Sequence, residues 1–289
     1  MNTSKNEYRA FYKVVGGNEG NKCNYTARLD TYGCGCSHDC KYCYAKSLLD
    51  FRKLWHPENP SVANIKKVIA KIKKLPKDQI VRLGGMTDCF QPIEREYGVT
   101  YKTIQALNEQ GIGYLIVTKS SMVACDAYRD ILRKDLAHIQ ITVTCTDDYF
   151  NSTYEKATPP SRRIAAIERL QKEGFDVTLR LSPFVPQFID KGVLDIDIIN
   201  SVQCDKILVE FLRVNSWIKK WFDIDYSDYT VKQSGYLHLP LEKKLQCIGL
   251  IKGFKEITVC EDETEAYNYW RNNFNPNPKD CCNLRLPNR

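Results

Sequence analysis

The stretch GCGCSHDCKYCYAKS (residues 33–47) decides how this chain is read, because Cys36, Cys40 and Cys43 form C-x3-C-x2-C directly after a short strand candidate, ARLDTY (27–32). Thiols spaced this way in one loop can converge on a single metal centre, and soft sulfur donors favour zinc or iron–sulfur. Zinc would normally take a fourth protein ligand, for which His38, Cys34 or a distant cysteine is at hand. Three thiolates on a 4Fe–4S cluster would instead leave one iron open to a small molecule.

Outward from the cysteine loop, strand and helix signals alternate. Strands are expected at 79–85, 113–120, 139–146, 175–183, 206–214 and 256–262. Between them lie helical patterns at 61–75 (Ser61 as cap), 99–111 (closed by Gly111), 126–134, 159–174 (opened by proline), 194–202 and 241–254. Such alternation implies right-handed βαβ units and a parallel sheet. The fold class is α/β: a partial (β/α)6-type barrel with parallel strands plus a C-terminal extension, and 1–289 form a single domain. Functional residues then belong just after each apolar run, at the C-terminal ends of the strands. One connection, 213–239, is too long for an ordinary βα loop. It carries Trp217, Trp221, Phe222, Tyr226, Tyr229 and Tyr236, and reads equally as a lid and as a satellite apolar cluster.

Composition narrows the setting. At 289 residues and 43% hydrophobic, the chain can bury one large core. No apolar run is long enough for a membrane span and no secretion signal is evident, so a cytoplasmic protein without membrane contact is expected. The formal charge of +7 is spread as scattered lysine, which reads first as solvated surface and leaves a nucleic-acid partner open. The thirteen cysteines are an odd number, unsuited to a disulfide framework. Cys125, Cys204 and Cys247 read as small core residues. Cys23, Cys89, Cys145, Cys260, Cys281 and Cys282 have no assigned role.

C-x3-C-x2-C with aromatic Tyr42 before its last cysteine resembles the radical S-adenosylmethionine superfamily. The resemblance implies a 4Fe–4S cluster on Cys36, Cys40 and Cys43, S-adenosylmethionine chelated by its open iron, and cleavage to a 5′-deoxyadenosyl radical. It also implies an electron donor of flavodoxin or ferredoxin type. GGMTDCFQPIE (84–94) resembles the glycine-rich and T-D-P-x-Q-P-I-E segments of spore-photoproduct-lyase-like proteins, and SPFVPQFID (182–190) their P-x-I-P-x-x-x-D stretch. The resemblance covers roughly 23–215. It places Tyr42, Gly84, Gly85, Met86, Thr87, Asp88, Lys119, Thr142, Thr144 and Arg180 at the cofactor, with Thr87 on the methionine amino group and Lys119 on its carboxylate. The branch's hydrogen-donating cysteine corresponds to Gly85 here, and Cys89 lies beyond Asp88, which argues against thymine-dimer repair.

Among compact members of that branch the chain is most similar to queuine lyases, which split queuine to its aminomethyl-deazaguanine precursor. The implied substrate is a small modified nucleobase; the alternative is a lyase or modifying enzyme acting on DNA or tRNA. Substrate candidates are Glu210, Asn215, Trp217 and Glu261. Glu210 stands out because it interrupts the apolar run ILVEFL, where an unpaired carboxylate would be costly.

Overall fold

The computed structural model describes residues 8–13 and 22–284. Its centre is an eight-stranded sheet of β1 (Phe11–Lys13), β2 (Ala27–Leu29), β5 (Val81–Leu83), β6 (Tyr114–Thr118), β7 (Ala137–Val143), β8 (Asp176–Phe184), β9 (Lys206–Phe211) and β12 (Glu256–Val259), in that spatial order. β1 pairs antiparallel with β2, and every later neighbour pair is parallel. Chain order and spatial order coincide, so each crossover returns one strand further along, which is how a partial barrel grows. Two small antiparallel pairs complete the strands: β3 (Tyr32–Gly33) with β4 (Ser61–Val62), and β10 (Val231–Gln233) with β11 (Tyr236–His238).

Local chemistry explains the elements. β7 is buried along its whole length, as a parallel strand covered on both faces must be. The helix Val99–Gln110 ends at Gly111 in the left-handed region (φ 65°), and Pro160 occupies the first turn of the helix Pro160–Lys172. The first long helix runs Ile65–Ile72 and is capped by Asn64, whose side chain accepts from the Lys67 amide; Ser61 belongs to β4. Two more helices are shorter than their apolar spacing suggests, Asp126–Arg129 and Leu241–Ile248. Cys204 and Cys247 are buried, whereas Cys125 is exposed at the start of its helix.

The C-terminal third is not separate from the barrel. β12 pairs with β9 from Glu256↔Lys206 to Val259↔Val209 and supplies a seventh parallel strand. The helix Thr264–Asn273 follows and buries Trp270. In the long connection, Phe222 and Tyr229 enter the main core, and Phe222 meets Tyr42 edge-on at 5.6 Å between ring centres. Apolar packing accounts for those two rings. No helix among the described residues is long and apolar enough to cross a membrane.

Candidate cofactor and substrate site

The C-terminal ends of the parallel strands open into one cavity of about 240 Å³. The loop after β2 brings Cys36, Cys40 and Cys43 to its wall. Cys36 and Cys40 are buried; Cys43 caps the helix Tyr44–Leu49, its sulfur 3.5 Å from the Lys46 amide. Burial pushes the Cys36, Cys40 and Cys43 thiols upward, and for Cys40 the neighbouring Glu155 carboxylate adds to it. A bound cation would reverse that balance.

A second loop faces the first. Gly84 follows β5 with φ +87°, and a Cβ there would stand 2.5 Å from the Val117 carbonyl oxygen, so only glycine fits without displacing β6. At Gly85 a Cβ would collide with the Tyr12 hydroxyl at 2.0 Å. Asp30, at the end of β2, accepts the amides of Gly85 (2.6 Å) and Met86 (2.9 Å) and the Tyr12 hydroxyl (3.1 Å). The Thr87 hydroxyl donates to the Tyr32 carbonyl. Asp88 accepts from the Thr118 hydroxyl (2.8 Å), the Phe90 amide (2.8 Å) and the Lys119 amide (2.7 Å), and its carboxylate stands 3.4 Å from His38 Nδ1. Burial opposes ionisation of Asp88, but His38 and these donors hold its carboxyl below the ordinary range.

Lys119 thus leaves β6 with its backbone fixed by Asp88. Its ammonium lies 5.5 Å over the Tyr42 ring. Behind that ring the Tyr42 hydroxyl donates to Glu155, which also pairs with Arg163, and neither member of that pair is exposed. Burial would raise Glu155, yet Arg163 and Lys119 keep it low, so a fixed negative charge backs the cysteine loop. Neither Glu155 nor Arg163 carries a sequence signal; their eight-residue separation matters only once the loop before Pro160 is folded.

The far side of the cavity is lined from β7, β8, β9 and β12 by Gln140, Arg180, Ser182, Glu210, Arg213, Glu261 and Asp262. Arg180 donates to both Gln140 (2.7 Å) and Glu210, and Ser182 donates to Glu210 at 2.8 Å. Burial pushes the Glu210 carboxyl up, but Arg180 and Arg213 outweigh it and hold it at about 2. The carboxylate that interrupts ILVEFL is therefore paired. Glu261 accepts from Lys244 and from the amides of Asp262 (3.0 Å) and Glu263 (3.1 Å).

Of the sequence candidates, Tyr42, Gly84, Gly85, Met86, Thr87, Asp88, Lys119, Thr142, Arg180, Glu210 and Glu261 line this cavity together with the three cysteines. Three others lie outside its lining. Thr144 bonds the Tyr154 hydroxyl at 2.7 Å, Asn215 caps the helix Ser216–Trp221 and donates to Ser47, and Trp217 packs on Trp221. Cys89 is buried with its thiol against the Leu29 carbonyl (3.5 Å), and Cys145 receives the Tyr154 hydroxyl (3.0 Å).

The residues fit an iron–sulfur cluster. Cys36 packs with Trp55, Ala45, Cys43 and Met86 in an apolar shell, and the buried Trp55 Nε1 has no hydrogen-bond partner among the described residues. Three soft donors of this kind, gathered by one loop at the mouth of a parallel partial barrel, define a cluster-binding protein of the barrel class. The chain belongs to the radical SAM superfamily, whose family model matches residues 31–196. Its cofactors are a 4Fe–4S cluster and S-adenosylmethionine.

Uncharacterized proteins from several organisms are similar in sequence. One from Mycobacterium bovis is 27% identical over 168 residues, 55% of this chain and 49% of that protein. One from Methanocaldococcus jannaschii is 25% identical over 160 residues, 54% and 60% respectively. The chain spans about half the length of the first of these relatives. In structure, a variant of spore photoproduct lyase matches with TM-score 0.65 at 14% identity, covering 88% of this chain and 80% of that one. Spore photoproduct lyase complexed with dinucleoside spore photoproduct matches with TM-score 0.63 at 14% identity, covering 85% and 76%. At such identities the likeness is one of fold alone.

Proposed function

We propose that the chain is a radical S-adenosylmethionine lyase that cleaves queuine and releases its aminomethyl-deazaguanine precursor. The supporting observation is one continuous cavity that joins the cysteine loop to a far wall of carboxylates and guanidinium groups. When bound, the reduced cluster supplies the electron that breaks the sulfonium of S-adenosylmethionine and so provides a carbon radical able to abstract hydrogen.

The chain's own residues divide the remaining work. Gly84–Met86 let backbone approach the cofactor, and Lys119 offers a cation to the methionine carboxylate. Glu210 accepts from the donor edge of a guanine-like heterocycle. Tyr44, Phe211 and Tyr267 also line the cavity and add apolar surface for a flat base. A flavodoxin- or ferredoxin-type protein supplies the electron.

A second reading rests on Lys22, Arg271 and Lys279, which line the same cavity and suit a phosphate backbone of DNA or tRNA. Anaerobic incubation of the reduced enzyme with S-adenosylmethionine and queuine separates the two. Formation of 5′-deoxyadenosine and a new deazaguanine supports the first. Absence of queuine turnover, together with tight nucleic-acid binding that weakens steeply with salt, replaces it with the second.

A further inference from the structure

Glu155 is a buried carboxylate at the back of the cysteine loop, outside the cavity lining. Backbone bonds on either side of it fix its place. The Lys41 amide donates to the Tyr154 carbonyl at 2.9 Å, and the Lys156 amide donates to the His38 carbonyl at 2.6 Å. Those two bonds lay residues 154–156 along residues 38–41, with Glu155 between them. Its Oε2 accepts the Cys40 thiol at 3.6 Å and the Tyr42 hydroxyl.

The other oxygen, Oε1, pairs with Arg163, and neither side chain of that pair is exposed. Arg163 also donates to the Thr142 carbonyl (2.8 Å), the Asn151 side-chain oxygen (2.9 Å) and the Thr158 carbonyl (2.5 Å). The guanidinium is thereby fixed to β7 and to the segment before Pro160. A buried carboxylate left alone would be costly to ionise, whereas one paired with a fixed guanidinium carries its charge. The pair is polarised, and its negative end faces the cysteine loop.

We propose that Glu155 tunes the cluster: its fixed negative charge beside Cys40 lowers the reduction potential and makes the reduced cluster a stronger one-electron donor. Net charge around the sulfurs is one of the factors that set the potential of an iron–sulfur cluster. Reduction adds an electron, which a neighbouring carboxylate disfavours by Coulomb repulsion, and burial keeps solvent from screening it. Loading releases the Cys40 thiol proton, so the carboxylate then faces a thiolate while the Tyr42 hydroxyl still donates to it. Arg163 offsets part of the charge but bonds the other oxygen, so the sign of the effect is that of the nearer carboxylate. A lower potential favours passing the electron on to the sulfonium of S-adenosylmethionine. The inference rests on membership of the superfamily and does not depend on queuine being the substrate.

The test uses the full chain, reconstituted anaerobically, with the midpoint potential of the cluster read by spectroscopic redox titration. Glu155→Gln keeps the side chain's shape and an acceptor for Tyr42 but removes the charge. At the parent's iron and sulfide content it should raise the equilibrium constant for reduction at least about tenfold, an upward shift of about 59 mV for one electron. Cleavage of S-adenosylmethionine should slow, while its affinity in equilibrium dialysis stays that of the parent. Glu155→Gln leaves a buried guanidinium unpaired, so the double variant Glu155→Gln/Arg163→Gln is measured beside it and should shift the potential upward by less. Asp176→Asn, at the start of β8 and so at the opposite end of the strands, is the destabilised control and should keep the parent's potential. An unchanged or lowered potential in Glu155→Gln overturns the proposal, as it does in the double variant where only that one holds the cluster. So does an equal rise in Asp176→Asn. Loss of the cluster in both Glu155 variants would make the ion pair a brace for the loop and overturns it as well.

Discussion

Asp30 accepts the Gly85 amide at 2.6 Å, and through it the end of β2 sets the conformation of the glycine loop after β5. The same carboxylate takes the Met86 amide, so two buried donors depend on one side chain. Asp30→Ala leaves both unpaired, at about 1–3 kcal/mol for each buried donor. The urea midpoint should fall, and S-adenosylmethionine should bind more weakly in equilibrium dialysis because the loop is no longer held. An unchanged midpoint together with unchanged affinity would remove this role.

Lys119 reaches the cavity from a backbone that Asp88 fixes at 2.7 Å. Its charge should serve the methionine carboxylate of S-adenosylmethionine. Lys119→Ala is expected to weaken cofactor binding by about 1.5–3 kcal/mol, the scale of a charge-assisted hydrogen bond. Iron content should be retained. Wild-type affinity in dialysis would show that another group carries the carboxylate.

Much of this site could be read before folding, for physical reasons that particular residues illustrate. The parallel strands are nearly continuous apolar runs, so β6 and β8 are legible, and Lys119, directly after β6, falls at the cavity. Cys36, Cys40 and Cys43 lie in one loop, where spacing along the chain equals spacing in space. Of the two threonines Thr142 and Thr144, only Thr142 lines the cavity, because β7 ends at Val143 and the Thr144 hydroxyl meets Tyr154. Asn215 and Trp217 lie outside the cavity lining, because one caps a helix and the other packs at a tilt on Trp221, four positions later. The Glu155–Arg163 pair depends on a tertiary contact, which no local pattern announces.

Asp176 gives the fold a measurable acid limb. Burial opposes its ionisation, but hydrogen bonds from His138 and Lys206 hold its carboxyl at about 2. An unfolded aspartate titrates at about 3.9, so the folded form is the stronger acid. The stabilisation is complete above that value and is lost as pH falls from about 3.9 towards about 2. It amounts to on the order of 2 kcal/mol. Asp176→Asn should lower stability at neutral pH and flatten the wild-type decline across that window, read from urea melts at several pH values. An equally steep decline in the variant would assign the acid limb to other carboxylates.

Glu210 and Glu261 both line the cavity as carboxylates, yet their bonding predicts opposite consequences of the same substitution. Among the described residues, the hydrogen bonds to Glu210 from Arg180 and Ser182 both fall on Oε2, and a ligand would be accepted at Oε1. Glu261 uses both oxygens inside the protein, one for the fully buried Lys244 and one for two backbone amides. Glu261→Gln removes the charge paired with that ammonium and should cost about 3 kcal/mol of stability, the scale of a broken buried pair. Its effect on queuine affinity should vanish once the folded fraction is matched. Glu210→Gln also weakens folding, because Arg180 loses a charged partner, so stability alone does not separate the two. Queuine affinity at equal iron content and equal folded fraction does. There Glu210→Gln sets an amide donor against the donor edge of the heterocycle and should weaken binding by about 1–3 kcal/mol. Cluster assembly and slow cleavage of S-adenosylmethionine without substrate should persist in both variants. If Glu210→Gln instead abolishes cofactor binding, Glu210 belongs to the cofactor end. If both variants bind and turn over queuine like the parent, the carboxylates take no part in holding the base.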